Sequence, residues 1–379
     1  MKDNLILYSH SGAPMTSTSK DIEYLLKSIK VPQNATIVDY GGSDGGQVGT
    51  TIAWNYRRNH VHTVATNVKD VHTAEMNISK NSLANLTLCI SKDLAFLDRA
   101  AVQIIIIRPP NFEGKEETRF RISEALRYLA PDGKLYVVTH THRGANSLME
   151  TIEEIFGNHT LLQKGGGGIR IVSALRPKVV SVPTNFHDVS ESIQADIFGK
   201  RYFFRTTQGT FSRSGVDAGT IFLLESIHFG DARTILDLGC GYGVIGIVIA
   251  DRHPESKVIL SDIDVRAIDN AIHNVELNHV KQNSRVVLSD GLAELAELTF
   301  DLVLSHIPLH ISRSEQIRLL TEIRNALNPA GRICLVVHTS YDLRPVVQDV
   351  FGNVQVIADS SHRQNVRERF RVLCATAPS

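Results

Sequence analysis

Cysteine is scarce: Cys89, Cys240, Cys334 and Cys374 are the only four in 379 residues, scattered and without a C-x-x-C spacing. The lack of that spacing argues against a structural zinc site, and their placement, mostly in apolar runs, suits reduced thiols in a cytoplasm. An excess of charge of one sign is missing too. Forty Lys and Arg face forty Asp and Glu, a formal net charge of +0, so no whole-molecule field draws the chain onto nucleic acid or anionic lipid; such binding must come from a local patch. No apolar stretch approaches the ~20 residues of a bilayer-spanning helix, and the first twenty residues hold only a short apolar run. A cytoplasmic protein with no membrane contact is expected.

What the chain does have is material for a large core, with 42% hydrophobic and 21% charged side chains, and its length favours two domains. It also repeats itself. "ATIVDYGGSDGGQVG" (35–49) matches "RTILDLGCGYGVIG" (233–246), which sets Asp39 opposite Asp237 at an offset of 198. "IIIIRPPNF" (104–112) faces "LVLSHIPLH" (302–310), "APDGKLYVV" (130–138) faces "NPAGRICLVV" (328–337) with Pro131 and Pro329 again 198 apart, and "IFGN" (155–158) recurs as "VFGN" (350–353). A common offset over four elements implies two copies of one fold in tandem. The joint falls near "RPKVVSVPTNFHDVS" (176–190), giving expected domains of 1–180 and 190–379.

Within each copy, short β-branched apolar runs alternate with amphipathic stretches. In the second copy "TILDLG", "KVILSD", "SRVVLSD", "FDLVLS" and "GRICLVV" read as strands. "GVIGIVIADRH", "DVRAIDNAIHNVELN" and "SEQIRLLTEIRNAL" carry helical spacing. Such alternation predicts an α/β fold: two tandem Rossmann-like domains, each a doubly wound, mainly parallel sheet with helices on both faces. Ligands of such sheets lie beyond the carboxyl ends of the strands, where "LDLGCGYG" turns from strand to helix. Gly239, Gly241 and Gly243 let a ligand approach bare backbone at a helix N-terminus. Gly241-Tyr-Gly243-Val-Ile-Gly246 fits a dinucleotide fingerprint equally well, and a tight turn without ligand is a third reading. Asp237, two positions before the first glycine, repels a pyrophosphate but suits an ammonium. Asp262 ends the next strand, placed for ribose hydroxyls, and Asp290 ends the third, placed for an adenine amino group. Each aspartate alone serves as well for a helix N-cap.

On these residues, and on "GTFSRSGVDAGTIFLLESI" (209–227) ahead of the glycine loop, the chain resembles the class I S-adenosylmethionine-dependent methyltransferases. More closely, it is similar to the bacterial ribosomal RNA guanine-N2 methyltransferases built from two tandem methyltransferase domains, the first degenerate. The resemblance covers nearly the whole chain, including "RPPNFEGKEETRFRISEALRYLAPDGKLYVVTHTHRGANS" (108–147). It implies S-adenosyl-L-methionine as cofactor, with Phe211, Asp217 and Gly219 near the methionine end. Asp237, Gly239, Cys240, Gly241, Gly243, Asp262, Ile263, Asp290, Gly291 and Ser305 would form the rest of the cofactor site. It further implies ribosomal RNA or a ribosomal subunit as partner, no metal and a monomer.

By the same alignment the first copy has lost its cofactor site, since Ser43 stands for the middle glycine and Ala65 for Asp262. Its expected role is structural or RNA-holding, with Arg57, Arg58, Arg108 and Lys115 as phosphate contacts or solvated charge. The fourth motif departs from the family. Relatives read Asn-Pro-Pro-Phe/Tyr followed by His, whereas this chain has Ser305-His306-Ile307-Pro308-Leu309-His310. His306 and Pro308 would line the methyl-acceptor position, His306 accepting an amine hydrogen through a neutral ring nitrogen, and Leu309 removes a stacking surface for a flipped base. A catalytically impaired cofactor-binding module, a different methyl acceptor and a nicotinamide dehydrogenase are the competing readings. "HVH" (60–62) and "HTH" (140–142) read as surface histidines, and the basic residues of "SSHRQNVRERFRV" (360–372) as a phosphate-contacting rim or the solvated side of an edge strand.

Overall fold

A computed structural model describes residues 5–9, 12–15, 18–41, 45–109, 114–178, 190–207, 215–307, 311–361 and 369–377. The chain divides into two compact units, Met1–Val189 and Ser190–Ser379. The first runs β1 (Leu7–Tyr8), β2 (Pro14–Met15), α1 (Lys20–Ser28), β3 (Thr36–Tyr40), α2 (Gln47–Asn55), β4 (His60–Ala65), α3 (Val68–Lys80) and β5 (Leu86–Ile90). It continues with β6 (Val102–Ile107), α4 (Lys115–Tyr128), β7 (Leu129–His140), α5 (Ala145–Phe156), β8 (Thr160–Lys164) and β9 (Ile169–Leu175). The second begins with a hairpin that the sequence reading did not anticipate, β10 (Glu191–Ile197) and β11 (Lys200–Thr206). There follow α6 (Ala218–Ser226), β12 (Thr234–Leu238), α7 (Val244–Arg252), β13 (Lys257–Asp262), α8 (Val265–Leu277) and β14 (Ser284–Leu288). The unit closes with β15 (Phe300–His306), α9 (Arg313–Ala326), β16 (Leu327–His338), α10 (Arg344–Phe351), β17 (Gln355–Asp359) and β18 (Phe370–Thr376).

Each unit holds a seven-stranded sheet, in the orders β5-β4-β3-β6-β7-β9-β8 and β14-β13-β12-β15-β16-β18-β17. Five strands run parallel, and the strand beside the fifth is antiparallel to both its neighbours. In both sheets the chain begins at a central strand, winds outward to one side, then returns to build the other, so the switch in direction lies beside β12 in the second unit. The core sits on both faces. Ile235 joins a cluster with Ile247, Val248 and Leu260, while Leu236 and Leu238 join Val303, Leu320 and Ile333 on the opposite side. Period-2 alternation along β12 therefore sends Asp237 to the same face as Ile235.

The duplication extends to single hydrogen bonds. Glu124 accepts the Leu94 amide at 3.2 Å and Glu322 the Leu292 amide at 3.1 Å. Asn81 clamps Ile6 through its amide and carbonyl, and Asn278 clamps Phe203 in the same way. The offset is not constant: β3 and β12 begin 198 apart (36 to 234), β4 and β13 197 apart (60 to 257). The glycine loop of the first copy is thus one residue longer.

Two sequence-based expectations are corrected here. Cys334 and Cys374 are not reduced thiols but a disulfide, with Cα atoms 4.2 Å apart. They are register partners on the adjacent antiparallel strands β16 and β18, a proximity that a separation of 40 residues conceals in the sequence. Cys89 and Cys240 are free. The basic segment near the end does not lead into an edge strand: β18 pairs on both sides, and β17 is the edge. Residues 362–368 lie outside the described residues. His60 and His62 do share one face of β4, their rings 4.6 Å apart, and among the described residues no helix is long and apolar enough to cross a membrane.

Candidate active site

The second copy of the glycine loop leaves β12 at its carboxyl end, between β13 and β15. Gly239 and Gly241 have φ of +72° and +56°, a region that L side chains rarely adopt. A Cβ on either would meet nothing within 4 Å, so the bend offers open backbone. Gly246 is different: a Cβ there would lie 2.5 Å from Leu260 Cγ, so its bareness seats α7 against β13. The Ser261 carbonyl accepts from the amides of Gly239 (2.8 Å) and Cys240 (2.9 Å), and Asp262 Oδ2 accepts from Gly241 (2.9 Å). Asp262 Oδ1 takes the Asp264 amide. Each carboxylate oxygen carries a second lone pair, which leaves Asp262 able to receive a diol.

Asp237 is wholly buried. Its Oδ2 accepts the Gly246 amide at 2.8 Å, while its Oδ1 has no hydrogen-bond partner among the described residues. Burial pushes the carboxyl up to about 7, against the Gly246 hydrogen bond and helped by the charge of Asp262. Burial likewise raises Asp262 to about 6, with the charge of Asp264 adding to it and the amides of Asp264, Gly241 and Ile263 opposing it. Two carboxyl groups so placed gain by the arrival of a cation, which restores their ionised form. A sulfonium nucleoside with an ammonium group fits this set: open backbone for the ligand, an orphaned buried oxygen for a cationic or water-bridged group, and a second carboxylate for ribose. A diphosphate suits the bend less well, since the buried Asp237 beside it would repel it, whereas Asp262 can take the ribose hydroxyls of either cofactor class.

The remaining expected residues divide in two. Asp217 caps α6 by accepting the Thr220 amide (3.1 Å), and its Oδ1 lies 3.2 Å from His306 Nδ1. Gly219 lets α6 pass the ring of Phe370, which a Cβ would approach to 2.8 Å. Cys240, within the loop, is buried, and burial and then the charges of Asp262 and Asp237 push its thiol well up. Ile263 is half-buried. Asp290 gives one oxygen to Arg318 at 2.7 Å, and Arg318 also pairs with Glu315 and Glu322, so at most the other oxygen serves an adenine. Gly291, at φ +59°, makes room for Glu322. Ser305 donates to the Leu238 carbonyl at 2.7 Å and is 2% exposed; it ties β15 to β12 and presents no hydroxyl to a ligand. Phe211 and Pro308 lie outside the described residues, as does Ser43.

The sequence reading passed over Phe370 and His338. Phe370 stands edge-on to both His306 (6.3 Å between centroids) and His338 (5.8 Å). The place of His338 at a strand's carboxyl end, facing His140 in the repeat, was the signal available for it; Phe370 had none, because its register partner is fixed only by pairing.

In the first copy the corresponding place is filled. Arg121, 2% exposed, lies over Gly41, so that a Cβ there would come within 1.5 Å of its Nη1. The guanidinium pairs with Glu117 (3.3 Å) and sits 5.0 Å from the centroid of the Tyr40 ring. Asp39 still accepts the amide of Gly49 at 2.8 Å, as Asp237 does that of Gly246. Arg108, expected at phosphate, is held by Asp21 at 2.7 Å.

Comparison with known proteins agrees with this geometry. The family described as "Methyltransferase small domain" matches residues 16–172 and 201–364, and the chain belongs to that family. The "Ribosomal RNA small subunit methyltransferase C" of Hamiltonella defensa is 25% identical over 277 residues, 72% of this chain and 76% of that protein. The "Ribosomal RNA large subunit methyltransferase G" of Yersinia pestis (strain Pestoides F) is 24% identical over 271 residues, 69% and 66% of the two chains. Among solved structures, a 16S rRNA N2 methyltransferase of T. thermophilus, in complex with AdoMet and guanosine, superposes with a TM-score of 0.77. Its identity is 20%, and 94% of this chain and 92% of that one are covered.

Proposed function

We propose that the protein is an S-adenosylmethionine-dependent methyltransferase acting on the exocyclic N2 amine of a guanine in ribosomal RNA, and that its C-terminal unit alone binds the cofactor. One observation carries the reading: the buried Asp237 with an unpartnered Oδ1, under a bend whose two glycines face open space, with Asp262 at the next strand tip. Family membership and the named activities of both relatives support it. Bound there, S-adenosylmethionine supplies a methyl group on positively charged sulfur. Asp237 and Asp262 hold it, and the guanine amine, whose lone pair is delocalised into the ring, has to be aimed by acceptors at the strand tips. The N-terminal unit, where Arg121 lies over Gly41, would have a structural or RNA-holding role, and a cytoplasmic location would follow from the ribosomal substrate.

Incubation with tritiated cofactor and undermodified ribosomal particles tests this. Label recovered in RNA guanine supports the enzyme. His306 in place of the family's asparagine favours a second reading, a cofactor-binding module without transfer; tight cofactor binding with no label in RNA would establish that instead.

A further inference from the structure

Tyr242 stands inside the glycine bend, between Gly241 and Gly243, yet its side chain turns away from solvent. The ring is buried and meets Phe204 of β11 edge-on, 5.6 Å between centroids. Its hydroxyl donates to the Gly215 carbonyl at 3.2 Å, across 27 residues of chain. Burial and then the charge of Asp217 push the phenol well up, so the oxygen keeps its proton and remains a donor. Gly215 comes two residues before Asp217, the cap of α6. Asp217 in turn lies 3.2 Å from His306 at the tip of β15, the neighbour of β12. The chain entering α6 is therefore at the same end of the sheet as the bend, and one hydroxyl joins the two.

The backbone of Tyr242 is held separately. Asn274 of α8 donates to its carbonyl at 2.9 Å and clamps Arg205 of β11 through both amide and carbonyl. The first copy repeats that frame, for Asn77 donates to the Gly45 carbonyl at 3.0 Å and accepts the Tyr8 amide at 2.7 Å. Gly45 and Asn77 each stand 197 residues before their counterparts (45 to 242, 77 to 274). What differs is the side chain at the bend. Gly45 has a φ of +65°, and a Cβ there would strike the methyl group of Thr73. The asparagine clamp is thus common architecture, whereas a side-chain tie from this position is confined to the copy whose bend is open.

We propose that Tyr242 is a positioning residue for the cofactor: its hydroxyl fixes the chain entering α6 against the glycine bend, so that both stand in place before the ligand arrives. The inference rests on the S-adenosylmethionine reading above and adds to it a residue that acts through its neighbours. A loop held in advance costs less to order on binding. The tie therefore shows as affinity for the cofactor and not as rate of transfer.

The variant Y242F tests this, since it keeps the ring and its contact with Phe204 and removes only the hydroxyl. Calorimetry of the full chain with S-adenosylmethionine, without RNA, is expected to show Kd raised about fivefold, the fold-change of one neutral hydrogen bond. In the ligand-free chain, hydrogen exchange at the amides of residues 216–220 is expected to quicken by a similar factor. In methyl-transfer assays the cofactor KM should rise with kcat held within about twofold. A tyrosine with a merely structural role would lower the melting temperature and leave affinity well below the transition unmoved. An unchanged Kd in Y242F accordingly overturns the proposal, and so does unchanged exchange at 216–220. A fall in kcat at constant KM overturns it as well, by placing Tyr242 in the transfer step. If the wild-type chain takes up no S-adenosylmethionine, the cofactor reading itself fails, while the exchange comparison still decides whether the hydroxyl holds the chain entering α6.

Discussion

Asp237 and Asp262 are neutralised by their surroundings more easily than a carboxyl in water, and this sets the pH behaviour of the pocket. Their folded values, about 7 and about 6, lie above the ordinary 3.8. A raised value means that the native state binds the proton more tightly than the unfolded chain. The stability these groups lend is fully present below about pH 4 and is lost as pH rises through 6 to 7. Thermal melts of the ligand-free protein between pH 4.5 and 7.5 should show this fall, and D237N, which cannot ionise, should flatten it; equal slopes would contradict the assignment. A cationic cofactor reverses the balance by ionising the pair, so its binding near pH 6 should release protons, measurable by calorimetry in buffers of different ionisation enthalpy. The amide side chain of D237N would keep an oxygen for the Gly246 N–H but carry no charge, so this variant should weaken cofactor binding about ten- to a hundredfold, the value of a hydrogen bond to a charged group. Asp237 was legible in the sequence because it stands in a period-2 strand that runs into the glycines, and Asp262 because it ends the next strand. The pairing of Asp217 with His306 was not, as the two are distant in the chain and meet only through the order of the strands.

Between elements, Gly241 of the loop and Gly246 of the helix that follows it should answer differently to the same methyl group. In Gly241→Ala the Cβ meets open space, so the fold bears only the strain of a positive φ, about 1–2 kcal/mol, while the cofactor loses its room. In Gly246→Ala the Cβ strikes Leu260, an overpacking worth about 1–3 kcal/mol. Affinity should fall more than tenfold in the first, and melting temperature should fall further in the second; the opposite ranking would show that the bend is not the cofactor's floor. The disulfide between β16 and β18 closes a separation of 40 residues, for which chain entropy gives about 4 kcal/mol. Adding reductant should accordingly lower the melting temperature of the C-terminal unit, and an unmoved transition would show that the bridge adds nothing there. Alternating strands and helices were readable from periodicity alone. Lateral neighbours were not: neither the bridge, the interior place of β18 nor the hairpin of β10 and β11 follows from any period, because each depends on which strand lies beside which.

Taken whole, the molecule is two copies of one sheet order, and the repeat in the sequence announced this before any coordinate did. What it could not announce is the place of Arg121, whose guanidinium lies over Gly41 from the middle of α4. Calorimetry should find one cofactor per chain, and D237N combined with D262A should abolish binding altogether; a residual site would place a working pocket in the first unit. The shared frame, the clamps of Asn81 and Asn278 and of Glu124 and Glu322, persists in both copies irrespective of what the clefts do. Yet the first loop is longer by a residue, and its glycine now carries a guanidinium partnered by Glu117. Removing Arg121 by one substitution would take its ion pair from the buried Glu117 and still leave Ala65 where the second copy has Asp262. A cleft like that of the second copy would need several substitutions made together, so the two halves are not interchangeable even though they share a skeleton.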